Sequence, residues 1–140
     1  MNNNLQRFIS AQETSYDAAL QEIRSGRKIS HWMWYIFPQI VGLGFTSTSK
    51  YYAIKDINEA EAYLKDPILG KHLVEISNVL LELSDLSAKD IFGHTDAMKL
   101  KSSMTLFSLV PNADSVFEEV LEKYFEGEKD RRTISLAGKT

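Results

Sequence analysis

One segment of the sequence places a histidine and a tyrosine among large apolar residues. In the run from Ser30 to Pro38, His31 and Tyr35 are the two polar tips of an otherwise apolar element. If this run is helical, with Ser30 as its N-cap, residues four apart lie on one face, so these two side chains are neighbours. A buried neutral imidazole can accept a proton near physiological pH, which makes His31 a candidate catalytic base. The alternative is a core histidine whose ring nitrogens are both hydrogen-bonded by the protein.

A basic pair stands immediately before this element. Arg27 and Lys28 precede Ser30, the residue that we expect to cap the helix N-terminus. Free backbone N–H groups at such a terminus, together with two cations, would attract an anion. The sequence therefore predicts an anion-binding role for Arg27 and Lys28, with a solvated basic surface as the alternative.

A second candidate segment is the helix that the pattern predicts from Thr95, as its N-cap, toward Pro111, after a short turn that Ser87 caps and Gly93 ends. Lys99 and Ser103 fall inside its apolar arc rather than opposite it. A lysine in that position must snorkel to the helix edge, form an ion pair or face a cavity. The i, i+4 spacing predicts that the Lys99 ammonium lies near the Ser103 hydroxyl, with Ser102 on the flank. A Ser–Lys nucleophile pair is one interpretation of this spacing, and a packed lysine stem is another.

Three further side chains complete the candidate site. Asp130 is predicted to be the N-cap of a last short helix. The alternative role of the segment Asp130-Arg131-Arg132-Thr133 is to point a carboxylate, as a base, or an arginine into the same pocket. Tyr51 and Tyr52 could stack on a planar ligand, although core packing also accounts for them. Trp34 and Tyr52 are the aromatic residues that we include among the candidate ligand-binding residues.

The sequence predicts neither a metal site nor a cofactor. It contains no cysteine, and its histidines at positions 31, 72 and 94 lack the H-x-x-x-H spacing of a zinc site. The segment Gly42-Leu43-Gly44 is only G-x-G, so it indicates a turn rather than a dinucleotide-binding loop.

Composition limits the classes of protein to which the chain can belong. With 140 residues, 44% of them hydrophobic, it has the size of a single domain, which we assign to residues 1–140. A formal net charge of -3 gives no general attraction for nucleic acid or for anionic membranes. The N-terminal residues lack the pattern of a secretion signal, and no apolar run is long enough to span a bilayer. We therefore expect a cytoplasmic protein.

The sequence pattern predicts that consecutive helices hold the candidate site in place. Apolar residues recur with helical spacing along most of the chain, and start signals such as Asp56 with Glu59, Asp66-Pro67 and Ser87 separate the elements. We predict an all-α, orthogonal assembly of about six to eight helices. A pair of short strands near residues 51–54 is the alternative for that segment.

Several blocks of the sequence resemble the domain-of-unknown-function 1810 family over nearly the whole chain. The blocks are Gly26–Gln39, Tyr52–Ile54, Leu69–Gly70, Ile91–Gly93, Lys99–Phe107 and Gly127–Asp130. The resemblance implies a mostly helical, bacterial-type cytosolic protein, and it implies no particular activity or catalytic residues. Such proteins have been labelled calpastatin-like, which would imply a protease inhibitor, yet inhibitors of that type are disordered whereas this chain is patterned to bury a core.

The chain is also similar to the NADAR family of N-glycosidases, in size, helical character, an aromatic-rich histidine segment and a lysine-containing central helix. This is a likeness of fold alone, and it transfers no residue roles.

The leading hypothesis is a pocket lined by these candidates that binds a small anionic, nucleotide-like metabolite. Hydrolysis there would make the protein a metal-independent hydrolase or N-glycosidase, with His31 or Asp130 as base and cations such as Lys99 as electrostatic clamps. The competing hypothesis is a non-catalytic protein–protein interaction module with an exposed aromatic patch formed by Trp34, Tyr51 and Tyr52.

Overall fold

The computed structural model describes residues 5–138, and within this range the chain forms eight helices. Their bounds are α1 (Gln6–Arg24), α2 (Met33–Ile36), α3 (Ser47–Tyr51), α4 (Ile57–Lys65), α5 (Leu69–Glu82), α6 (Ala88–Ser108), α7 (Val116–Phe125) and α8 (Arg131–Leu136). The predicted all-α class is confirmed. Residues 1–4 and 139–140, which include the start of the segment considered for a secretion signal and both ends of the predicted 1–140 domain, lie outside the described residues.

The alternative of strands near residues 51–54 is not realised in the described range. The Thr46 side chain accepts a hydrogen bond from the Ser49 N–H and so begins α3, which takes up the chain as far as Tyr51. An isolated parallel bridge between Ile40 and Ile54 follows, with no strand beyond it within residues 5–138. This bridge fastens the segment after α2 to the segment after α3.

Side-chain caps begin two of the central helices where the sequence predicts them. Asp56 accepts a hydrogen bond from the Glu59 N–H at 2.9 Å and begins α4. Ser87 and Asp90 form a capping box at the start of α6, each side chain accepting from the other's backbone N–H. These local signals fix where the helices begin.

Helix α6 changes direction at Gly93. The residue adopts φ 79° and ψ 168°, a backbone conformation that glycine tolerates and other residues strongly disfavour. This non-helical residue divides α6 into a short first part and a long second part. The sequence predicts the stop at Gly93, but its predicted cap at Thr95 is wrong, because Thr95 lies within the helix. The long part carries Lys99 and its neighbours.

The helices pack around a hydrophobic core that draws on most of them. Helix α6 packs against α7, and α5 packs against both α1 and α7. On α6, Leu100, Met104 and Phe107 are completely buried, as the predicted apolar arc requires. None of the helices within residues 5–138 combines the length and the apolar character that crossing a membrane requires.

Candidate functional site

The predicted anion site after Gly26 is occupied by a carboxylate of the chain itself. One oxygen of Glu22 accepts from the backbone N–H groups of Ile29 and Ser30, at 2.8 and 2.9 Å, and from the indole N–H of Trp32 at 2.9 Å. Its other oxygen accepts from the Ser30 hydroxyl at 2.7 Å. The prediction that Ser30 caps a helix is therefore wrong, because its hydroxyl and N–H bind Glu22 and α2 begins only at Met33.

The hydrogen bonds from Ile29, Ser30 and Trp32 to Glu22, which we call the Glu22 clamp, also determine the position of His31. The segment on either side of His31 is held to Glu22, and the His31 side chain is left exposed at the surface. The expectation of a buried imidazole is wrong for that reason. Arg27 is likewise exposed. Neither His31 nor Arg27 lines the two pockets that form the candidate site.

Lys28 and Lys99 share one carboxylate. The Lys28 ammonium lies 2.9 Å from one oxygen of Asp96, and the Lys99 ammonium lies 3.1 Å from the other. Burial raises the pKa of the Asp96 carboxyl, but hydrogen bonds from the two lysines outweigh burial and hold it below its usual range. Asp96 was missed by the sequence analysis, although its position three residues before Lys99 on a helix could have revealed it.

The Lys99 ammonium also lies over the face of Trp34, 4.1 Å from the ring centroid. The Lys99 side chain is 22% exposed, so it is neither sealed in the core nor free in solvent. Ammonium over an indole face is a favourable cation–π arrangement. The predicted snorkelling lysine thus reaches the helix edge and meets an aromatic ring and a carboxylate there.

Two neighbouring pockets meet at Trp34. We call the pocket of about 300 Å³ on the Lys99 side the polar pocket and the pocket of about 380 Å³ on the other side the apolar pocket. Residues found in both linings are Trp34, Gln39, Leu43 and Gly44. Those found in the polar pocket alone include Thr95, Lys99, Ser102, Asp130 and Arg132.

The apolar pocket is built from the segments that the Ile40–Ile54 bridge holds together. Besides the shared residues, its lining includes Ile40, Val41, Phe45, Tyr52 and Ala53. Phe45 is 79% exposed at its rim. Burial raises the pKa of Tyr52, so this phenol stays neutral. The lining is mainly apolar, and Lys50 is its charged residue.

Asp130 caps α8, as predicted. One oxygen of its carboxylate accepts from the Thr133 N–H at 3.0 Å, from the Thr133 hydroxyl at 2.5 Å and from the Ser102 hydroxyl at 3.4 Å. Its own N–H donates to the Thr105 hydroxyl at 2.9 Å. These bonds attach the start of α8 to α6, and they bring Asp130 and Ser102 together at the wall of the polar pocket.

Two predicted residues point elsewhere. Ser103 is completely buried and does not line the polar pocket, because its place on α6 faces the core while Lys99 extends toward Trp34. Tyr35 donates its hydroxyl to Ser15 at 2.9 Å and packs on Tyr52, with ring centroids 5.2 Å apart. Tyr35 therefore supports the apolar pocket from behind.

Gln39 was missed by the sequence analysis, whereas Arg132 matches the alternative that an arginine beside Asp130 points into the pocket. Gln39 is only 8% exposed, lines both pockets, and its side-chain Nε2 has no hydrogen-bond partner among the described residues. A glutamine directly after an apolar run and a proline was the available signal. Arg132 lines the polar pocket and donates to the Gly42 carbonyl at 3.3 Å. Within residues 5–138, no group of three or more His, Cys, Asp or Glu side chains is placed to hold a metal ion.

Comparisons with known proteins agree with the resemblance noted in the sequence. The crystal structure of the conserved hypothetical protein Rv1873 from Mycobacterium tuberculosis is similar to this chain, with a TM-score of 0.95 and 42% sequence identity, and the match covers 98% of each chain. No curated protein matches the sequence. A family model described as "Protein of unknown function (DUF1810)" matches residues 2–137. The chain therefore belongs to the DUF1810 family.

Proposed function

We propose that the two pockets form one site for a small anionic metabolite that carries a planar ring. The ring would lie in the apolar pocket beside Trp34, and the anionic group would lie in the polar pocket near Lys99 and Arg132. The observation that supports this most is the Lys99 ammonium at 4.1 Å over the Trp34 ring, where the two pockets meet. At this junction the anionic group of such a ligand would meet a cation, and its planar ring would meet an aromatic side chain.

The charges around the polar pocket favour an anion. Asp96 is paired with two lysines at once, so one carboxylate faces two ammonium groups. Arg132 adds a second cation to the lining, and Asp130 adds one carboxylate, so Lys99, Arg132 and Asp130 together give the pocket a formal charge of +1. An incoming phosphate or carboxylate would complete the pairing of these cations.

The shape of the site favours a small molecule over a protein partner. The polar tips of Lys99, Ser102, Asp130 and Arg132 line one concavity, which is the arrangement typical of ligand sites. Phe45 is 79% exposed and Tyr51 is 59% exposed, whereas Trp34 and Tyr52 are partly buried and line the pockets. Of the three residues in the predicted aromatic patch only Tyr51 is exposed, which favours the small molecule over the interaction module.

A hydrolytic activity is the second candidate, and it rests on Asp130. The hydrogen bonds to this carboxylate within the described residues go to Oδ2, which leaves Oδ1 to accept a proton from a water molecule in the polar pocket. The cations would then stabilise negative charge that develops on the ligand. Metal-independent cleavage of a nucleotide-like compound is the reaction class that fits these groups.

Calorimetric titration with uridine 5′-monophosphate, adenosine 5′-monophosphate and ribose 5-phosphate tests the binding proposal. We expect the two nucleotides to bind more tightly than ribose 5-phosphate, because only they carry a ring for the apolar pocket. Lys99→Met should weaken nucleotide binding about 10- to 100-fold, since a hydrogen bond to a charged group contributes roughly 1.5–3 kcal/mol. Product analysis after prolonged incubation tests for hydrolysis.

Lys101→Met is the matched control for this experiment. Lys101 lies on the same helix, pairs with Glu128 at 2.6 Å and lines neither pocket. Its loss should leave nucleotide affinity unchanged. No binding by any of the three compounds, or equal weakening by both lysine variants, would contradict the proposal.

A further inference from the structure

Gln39 has an unpaired polar group at the place where the two pockets join. It is 8% exposed, it is common to both linings, and its Nε2 has no partner in the described part of the chain. Leaving a buried donor unpaired destabilises the folded protein. Buried polar groups in folded proteins are nearly always hydrogen-bonded, so a ligand that enters the cavity could supply the missing partner once the amide turns toward it.

The backbone around Gln39 is held firmly. Its carbonyl accepts from the Ile54 N–H at 2.8 Å, and the Ile54 carbonyl accepts from the Val41 N–H at 2.8 Å. Pro38 precedes it, which fixes the neighbouring backbone further. The last side-chain torsion of glutamine is soft, so a small rotation turns the amide toward either pocket while the backbone stays in place.

From this geometry we infer that Gln39 donates a hydrogen bond to an acceptor on the edge of the ligand's ring, and that the ligand is an anion carrying a heterocycle of the nucleobase type. This inference rests on the proposed function, because it assumes that a ring occupies the apolar pocket. Trp34 and Gln39 line the same junction. The indole therefore supplies apolar contact, and the amide donates a hydrogen bond to the edge of the ring. A carbonyl oxygen or an unprotonated ring nitrogen accepts the bond, whereas a plain hydrocarbon ring leaves the amide unpaired.

The test compares two probes that differ only in the ring. Uridine 5′-monophosphate carries carbonyl acceptors, and the 5′-monophosphate of a benzene C-riboside carries the same sugar and phosphate on a ring without acceptors. The wild-type protein should bind the uridine compound at least about 10-fold more tightly, because a site built to hydrogen-bond its ligand rejects an analogue that lacks the group. In Gln39→Met, which keeps the side-chain length and removes the amide, the two affinities should agree within about 3-fold.

The stability of the same variant separates a binding role from a structural one. Removing an unpaired buried donor should leave the melting temperature of the free protein unchanged or raise it. A glutamine that supports the fold would instead lower the melting temperature and weaken both probes by the same factor, and that result would overturn the inference. If Gln39→Met does not fold, the ratio of the two affinities in the wild-type protein decides the question alone.

The outcomes also distinguish the role of Gln39 from the proposed anion site on which it rests. Equal wild-type affinities for the two probes, both weakened by Lys99→Met, would refute the role of Gln39 and leave the anion site standing. Binding of neither probe would refute both.

Discussion

Replacing Glu22 by glutamine tests whether this carboxylate organises the segment that leads into the site. Four hydrogen bonds converge on it, from Ile29, from the N–H and the hydroxyl of Ser30, and from the indole of Trp32. Burial raises the pKa of Glu22, but these bonds outweigh burial and lower the pKa to about 2. The Glu22→Gln variant removes the charge and keeps the length of the side chain.

The size of the effect follows from the difference between charged and neutral hydrogen bonds. A bond to a charged group contributes roughly 1.5–3 kcal/mol, against about 1 kcal/mol for a neutral one. Because Glu22 is partly exposed and glutamine retains one acceptor oxygen, we expect Glu22→Gln to lose about 1–3 kcal/mol of unfolding free energy. Glu22→Ala should lose more, since the buried Trp32 indole N–H would then be unpaired.

Urea unfolding at neutral pH measures this loss directly. Glu61→Gln is the control, because Glu61 belongs to an exposed pair with Lys65 at 3.4 Å, and such pairs contribute about 0.3–0.5 kcal/mol. A Glu22→Gln variant as stable as the Glu61→Gln control would refute the clamp.

The pH dependence provides a second test of the same carboxylate. A carboxyl whose pKa is lower in the folded than in the unfolded protein stabilises the fold above its unfolded pKa, and this stabilisation is lost as the pH falls through the folded pKa. For Glu22 the window runs from the ordinary value of 4.5 down to about 2. The stability difference between wild type and Glu22→Gln should therefore be constant above pH 5 and shrink as the pH falls toward 2. A difference that does not change over this window would contradict the assignment.

Three other substitutions have definite expected outcomes. Lys99→Met should lose only about 1 kcal/mol of unfolding free energy, because methionine keeps the contact with Trp34. The interactions removed are a partly exposed ion pair and a cation–π contact. A loss above about 3 kcal/mol in thermal or urea unfolding would instead make Lys99 a structural residue. His31→Gln should change stability by less than about 0.5 kcal/mol, because the side chain is exposed, and it should leave nucleotide affinity unchanged; weaker binding in calorimetry at unchanged stability would return His31 to the site. Gly93→Ala should cost about 1–3 kcal/mol in urea unfolding, since φ 79° and ψ 168° strain any side chain although no atom lies near the added methyl group; a neutral effect would show that the backbone relaxes there.

The sequence was sufficient for features that depend on neighbouring residues. Asp56, Ser87 and Asp130 cap helices where their spacing predicts, because a cap needs only a side-chain oxygen and an N–H group two or three residues later. The burial of Leu100 on α6 likewise follows from helical periodicity. The partial exposure of Lys99 follows from the tendency of a lysine inside an apolar arc to extend its ammonium to the helix edge.

Features that depend on distant contacts were not accessible from the sequence. Glu22 lies near the end of α1, and no pattern in the sequence signals its role because its partners, among residues 29–32, follow a turn whose geometry helical periodicity does not encode. The same clamp removes Ser30 from the cap position and exposes His31. Arg132 meets the loop at Gly42 across 90 residues of sequence. Such pairings arise from tertiary packing, which overrides local preferences.

Entry of a ligand beside Trp34 can be followed by the two indole N–H signals in a ¹H–¹⁵N correlation spectrum. The chain has two tryptophans: Trp34 lines both pockets, while the buried Trp32 donates its indole N–H to Glu22. On titration with uridine 5′-monophosphate the Trp34 indole signal should shift progressively and saturate, and the Trp32 signal should stay in place as an internal reference. Saturating shifts confined to other parts of the protein, or an unmoved Trp34 signal at millimolar nucleotide, would contradict the proposed site beside Trp34.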